Sequence, residues 1–236
     1  MDTVLIRFSW ALILAPALLT AVPSSAAVAA APASQLFALD RPIAARAAPS
    51  ADSAAVAHIA AYTPLTAART VVPVIQTKGG PNGGTWLQVR LPGRPNGSTG
   101  WVPADAGALR TTAWRIVVHR SVRSASVFEG NTLRARYRIV VGKRSTPTPL
   151  GTFFVTEKLH LAPGVAEGPW ALATSAYSNV LQQFGGGPGQ IALHGTVGLS
   201  APLGTFSSHG CIRFGVAAIT WIATHVPDGT PVDVLR

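Results

Sequence analysis

Cysteine is almost missing: Cys211 is the only one in 236 residues. No disulfide can form within the chain, and neither Cys-x-x-Cys nor His-Glu-x-x-His occurs to suggest a zinc site. Acids are scarce too, nine Asp and Glu against nineteen Lys and Arg. No aspartate lies between Asp105 and Asp228, and the carboxylates of that interval are Glu129, Glu157 and Glu167. This argues against a Ser-His-Asp hydrolase and against a glycosidase-like pair of carboxylates. No repeat at solenoid periods is visible. Beyond the N-terminus, no apolar run is long enough to span a bilayer.

What is present is a globular composition, 48% hydrophobic and 12% charged, with 23 Gly and 19 Pro. It fits one domain or two small ones, rich in strands and turns rather than long helices. The formal charge of +10 suits an anionic partner: nucleic acid, a membrane surface or a polyanionic wall. The N-terminus narrows that choice. Arg7 is followed by an apolar run from Phe8 to Val22, then small residues with an Ala27-Val28-Ala29 site. Residues 1–29 read as a secretory signal peptide. The alternative is an uncleaved anchor, and membrane contact would then go through this segment alone. Export to the cell wall or extracytoplasmic space makes nucleic acid an unexpected partner. It also makes the unpaired Cys211 either a reactive thiol or an intermolecular link.

Residues 30–54 are Ala-, Pro- and Ser-rich and read as a flexible tether. From residue 55 to 110 short β-like runs, "RTVVPVI", "TWLQVRL" and "TGWVPAD", alternate with the turn clusters "TKGGPNGG" and "PGRPNGSTG". From 112 to 236 the chain is again β-rich, with strands expected in "AWRIVVHRSV", "SVFEGN", "LRARYRIVVGK" and "GTFFVTEKL". "FGVAAITWIATHV" is the convincing helix candidate, and "DGTPVDVL" gives a turn and a last strand. Residues 161–189 are Gly/Pro-containing and weakly patterned, and read as a long loop that is either a lid or an irregular excursion. Trp170 and Tyr177 are its candidate substrate contacts.

The chemistry gathers in "ALHGTVGLSAPLGTFSSHGCIRF". A cysteine nucleophile acts as thiolate and needs a base, positive charge or converging amides. His194 and His209 are candidate bases. Arg213 falls on the same side as Cys211 if the chain is extended there. Gly210 permits a turn in which amides converge on an oxyanion. With no aspartate nearby, a backbone carbonyl, or Asn179 if the loop folds back, is the expected orienter of the histidine. His194, His209 and Cys211 could instead bind zinc, but a fourth ligand is missing. The plainest alternative is an inert buried cysteine, which the polar, turn-like "SHGCIRF" disfavours.

"IALHGT", with thirteen residues between His194 and Ser208, and then "SHGCIRF" resembles the signature of L,D-transpeptidases with a YkuD-type catalytic domain. "RIVVGKRSTPTPLGTFFV" is similar to that family's second block. The likeness covers Trp114 to Arg236. A second likeness, carried by "GGTWLQVRLPGRPNGSTGWVPA", is to bacterial SH3-like modules. The fold so implied is mainly β: a YkuD-type β-sandwich with one or two short helices at 112–236, after a small SH3-like β-barrel at 55–110.

The resemblance also implies roles. Cys211 would be the nucleophile, His194 the base, and the Gly195 carbonyl its orienter. Amides around His209, Gly210 and Cys211 would form the oxyanion hole. His209 would line the substrate site, Ser208 would brace the turn, and Arg213 would support the thiolate or bind a substrate carboxylate. The implied reaction joins peptidoglycan tetrapeptide stems, as donor and acceptor, through a thioester, with no metal or organic cofactor. Hydrolysis of the same bond, or wall binding without catalysis, are the alternatives.

Overall fold

A computed structural model describes residues 33–198 and 201–236. The segment 1–29 read as a signal peptide lies outside the described residues. Fold class is mainly β, with one α-helix among the described residues.

The first sheet has seven strands: β1 (Ser34–Leu39), β2 (Ile43–Arg46), β3 (Ala55–Ile59), β4 (Val71–Gly79), β5 (Thr85–Arg90), β6 (Thr99–Pro103) and β7 (Gly107–Thr112), in the order β3-β2-β6-β5-β4-β1-β7. β4, β5 and β6 occupy the three β-like runs of the sequence. The stretch read as a tether is different. "SQLFAL" forms β1, paired on one side with β4 and on the other with β7, and Leu36 to Leu39 are all buried. A four-residue apolar run with pairing partners on both edges makes a central strand, which Ala-rich flanks had hidden. The first domain therefore begins near Ser34 rather than at residue 55.

The second domain contains β8 (Trp114–His119), β9 (Ser124–Glu129), β10 (Thr132–Arg138), β11 (Val141–Gly142), β12 (Gly151–His160), β13 (Trp170–Tyr177), β14 (Gln190–His194), β15 (Phe206–Ser208), β16 (Ile212–Arg213), the helix α1 (Val216–His225) and β17 (Pro231–Leu235). Eight of the strands form one sheet, β10-β9-β8-β17-β12-β13-β14-β16, and β11 pairs with β15 separately. α1 buries Ile219, Ile222 and Ala223 against the core. Its C-terminus is closed by Lys158, whose Nζ donates to the carbonyls of Ala223 at 3.1 Å and Val226 at 3.0 Å. The stretch 161–189 is not one long loop. Its middle forms β13, whose Leu172 to Ala176 are buried between β12 and β14.

β12 is the wall between the domains. Side chains of neighbouring strand residues point to opposite faces. Phe153 accordingly enters the cluster containing Ile116, Leu193 and Phe214, while Phe154 enters the first domain's cluster with Phe37, Leu87 and Val102. Further along β12, the buried Glu157 accepts hydrogen bonds at Oε2 from the amides of Leu65 (3.3 Å) and Thr66 (3.0 Å) and from Thr66 Oγ1 (3.0 Å). Three donors on one carboxylate oxygen make burial of this acid tolerable.

Candidate active site

β14 and β16 run parallel, with Leu193 opposite Ile212 and His194 opposite Arg213. Leu193 and Ile212 are fully buried in the core, which sends His194 and Arg213 to the other face. Cys211 precedes β16 beside Ala192, whose backbone hydrogen-bonds the thiol. His194 and Cys211 both feel the charges of Arg213 and Glu167. The strand pairing thus brings His194, Cys211 and Arg213 together from two separate segments.

His194 is buried, and its Nδ1 lies 2.8 Å from the Gly195 carbonyl oxygen. A carbonyl only accepts, so Nδ1 carries the proton and Nε2 keeps its lone pair. Gly195 must be glycine, because a Cβ there would lie 1.9 Å from the Gly168 oxygen. Its amide donates to the Glu167 carbonyl at 2.8 Å and to the Trp170 carbonyl at 3.3 Å. The connection before β13 is in this way tied to the histidine. Asn179 is not the orienter. Its Oδ1 accepts from Asn96 Nδ2 at 3.0 Å, in the other domain.

Burial pushes the His194 imidazole below its usual 6.5, and Arg213 pushes it further; the Gly195 bond and Glu167 act against this. Burial raises the Cys211 thiol above its usual 9.0, and the Ala192 backbone and Arg213 pull it back. Both shifts favour the uncharged forms, a thiol and an imidazole.

The turn before Cys211 is built by hydroxyls. Ser208 is fully buried; its Oγ–H donates to the Cys211 carbonyl at 2.6 Å and its Oγ accepts the Gly210 amide at 3.1 Å. Gly210 has φ +124°, a conformation that a side chain would strain. The "STPTP" segment after β11 holds the turn from outside. Thr148 Oγ1 donates to the Gly210 carbonyl at 2.7 Å and accepts the Gly142 amide at 2.9 Å. Thr146 Oγ1 donates to the Ser208 carbonyl at 3.3 Å, which also accepts the Lys143 amide at 3.0 Å. Sequence reasoning passed over Thr146 and Thr148. The signal for them was a pair of threonines spaced to put both hydroxyls on one side of an extended segment.

His209 stands apart from His194. It is exposed, its ring stacks on Phe184 at 4.7 Å, and its Nε2 is 3.5 Å from Lys143 Nζ. Arg213 pairs its backbone with Val140, while its Nε is buried without a partner among the described residues. Trp170 opens β13 one register position from the residue facing His194, and its ring meets His160 at 4.7 Å. Tyr177 closes the other end of β13, opposite Gln190 of β14 and so two residues along β14 from Ala192, the neighbour of Cys211. There its backbone pairs with Asn96 and its ring lies 4.8 Å from the Arg94 guanidinium. Strand β13 separates two residues that one loop had seemed to keep together.

Comparison with known proteins shows the family of the second domain. The family model for the L,D-transpeptidase catalytic domain, YkuD, matches residues 113–234. The YkuD protein of Bacillus licheniformis is 32% identical over 124 residues, covering 52% of this chain and 67% of that protein. Its Bacillus subtilis counterpart is 30% identical over 126 residues, covering 53% and 68%. Among solved structures, L,D-transpeptidase 3 from Mycobacterium tuberculosis, in complex with a faropenem-derived adduct, aligns over 70% of this chain and 93% of its own with 14% identity and a TM-score of 0.47. An Enterococcus faecium L,D-transpeptidase mutant aligns over 52% of this chain and 50% of its own, with 21% identity and a TM-score of 0.41. The family model covers just over half of the chain and includes His194, Ser208 and Cys211, so the chain belongs to the L,D-transpeptidase family through a YkuD catalytic domain.

Proposed function

We propose that the chain is an exported cysteine acyltransferase that forms 3→3 crosslinks between peptidoglycan stems through a thioester on Cys211. The observation that carries this reading is the β14–β16 register, which sets His194 opposite Arg213, two residues from Cys211, with the histidine's Nδ1 held by the Gly195 carbonyl.

In the proposed reaction, His194 Nε2 takes the thiol proton as Sγ attacks the carbonyl between residues three and four of a tetrapeptide stem. The developing oxyanion is met by amides of the turn. Since Ser208 Oγ occupies the Gly210 amide, the His209 and Cys211 amides are the donors we assign to it. The imidazolium returns its proton to the departing D-alanine amine, and the acyl group stays on Sγ as a thioester. The side-chain amine of a diamino acid on a second stem then attacks. Its proton passes to His194, the C–S bond breaks and the thiol is restored. The Nε of Arg213, buried and without a partner among the described residues, suits a stem carboxylate.

The remaining parts fit the same reading. An N-terminal signal would place the enzyme at the wall, and a charge of +10 suits an anionic polymer. We read the first domain as an SH3-like wall-binding module. A 570 Å³ cleft beside Trp86, Asn82 and Asp105 is its candidate groove.

The test is mature protein incubated with tetrapeptide-stem muropeptides and read by mass spectrometry. Crosslinked dimers that vanish in Cys211→Ala are expected. Tripeptides alone would make it a hydrolase. No product, with Cys211 unlabelled by a carbapenem, would sink both enzyme readings.

A further inference from the structure

The turn between β5 and β6 reaches out of the first domain and grips one segment of the second. Arg94 gives its guanidinium to three backbone carbonyls: Nη1–H donates to Pro188 at 2.7 Å, and Nη2–H to Ser178 and Leu181, both at 2.9 Å. Asn96 pairs reciprocally with Tyr177, accepting its amide at 2.8 Å and donating to its carbonyl at 2.7 Å. These contacts fall at the two ends of the loop 178–189, where Ser178 N–H also closes onto the Gly189 carbonyl at 2.8 Å. The loop's far end is the tip 184–187. There Phe184 and Gly187 exchange backbone hydrogen bonds of 2.9 and 3.0 Å, with Gly185 and Gly186 between them. A glycine-rich tip is costly to order. Phe184 is 51% exposed, so its own burial does not anchor it. Yet its ring lies against His209, two residues from Cys211.

We propose that Arg94 and Asn96 are positioning residues: the first domain fixes loop 178–189 so that Phe184 stands over His209 as one wall of the substrate site. The use of that wall rests on the transpeptidase reading; the anchoring does not. Arg94 suits the task because a planar fork can serve several carbonyls at once, which an ammonium cannot.

The test uses the mature chain and the variants Arg94→Ala, Asn96→Ala, Phe184→Ala and the Arg94→Ala/Phe184→Ala double. Hydrogen exchange over 178–189 should quicken about tenfold or more in Arg94→Ala, and less in Asn96→Ala. The NMR signals of the His209 ring should move towards their positions in Phe184→Ala. With donor stem, Arg94→Ala should raise KM about tenfold while kcat changes about twofold at most. The double variant should be no worse than the worse single one, because both act through the same contact. Arg94→Lys should not restore KM. Unchanged exchange and unchanged His209 signals in Arg94→Ala would overturn the proposal, as would KM effects that multiply in the double variant. If the wild-type chain made no product, the transpeptidase reading would fall alone, since exchange and ring signals report the anchoring without turnover.

Discussion

Both domains are built from strands, but they pair them differently. Every pairing in the first sheet is antiparallel. The second domain adds three parallel pairings, β8 with β17, β14 with β16 and β11 with β15. Two of these three hold the turn from Ser208 to Cys211 between them. Antiparallel neighbours can follow each other through a tight turn, whereas parallel neighbours need a crossover. A crossover brings distant segments to one edge. That is how a histidine, a cysteine and the threonines that brace its turn meet here. The first domain forms an all-antiparallel scaffold that takes Phe154 from its neighbour, and the second uses longer connections to assemble chemistry.

If that division is right, substitutions should separate cleanly. The largest effect belongs to His194. His194→Ala should slow Cys211 acylation by about 10²–10⁴-fold, the range for a lost general base, with circular dichroism unchanged. The pH profile sharpens the same point. The imidazole is held below 6.5, so it stays neutral and able to accept a proton until pH falls through that lowered value. The acid limb of acylation should therefore have its midpoint below 6.5. A midpoint at or above it would point to a different base.

Next comes Phe154, which the second domain lends to the first domain's core. Phe154→Ala should cost about 3–5 kcal/mol in denaturant unfolding. It should split a shared transition into two while Cys211 remains reactive at low denaturant. A single unshifted transition would mean that Phe154 contributes nothing to the first domain's core. Glu157→Gln keeps the shape but removes the charge from three hydrogen bonds. We expect about 1–2 kcal/mol of lost stability and an unaltered acylation rate. The smallest effect should be Arg41→Ala. This breaks the exposed ion pair with Asp105, worth at most about 0.5–1 kcal/mol, and a larger change in melting would contradict its solvent exposure.

Much of the scaffold was legible where local pattern and tertiary role coincide. "TWLQVR" alternates and becomes β5, with Leu87 and Val89 buried. Apolar spacing over "VAAITWIATH" becomes α1, with Ile219, Ile222 and Ala223 inward. Elsewhere the decisive information was non-local. β1 and β13 are buried on both faces, so neither shows the alternation of a half-exposed strand. "WALATSAY" is also poor in branched residues, and only its neighbours β12 and β14 make it a strand. At the site, the residue types in "LHGT" and "SHGC" pointed to two histidines and the cysteine, and the resemblance to L,D-transpeptidases implied His194 as base with the Gly195 carbonyl as its orienter. Nothing in the sequence tells that six residues of strand stand between Trp170 and Tyr177. Arg94, Asn96 and Phe184 were invisible for the same reason: their partners lie 81 residues or more away, or across the turn.

The adjacent phenylalanines of β12 have a practical corollary. A catalytic fragment cut at Ala113 would keep Phe153 in its interior but turn Phe154 out to water, next to a carboxylate stripped of its three donors. Such a fragment would expose a greasy seam where the missing domain used to lie, and would be inclined to stick to copies of itself. In this respect the first domain keeps its neighbour's back dry.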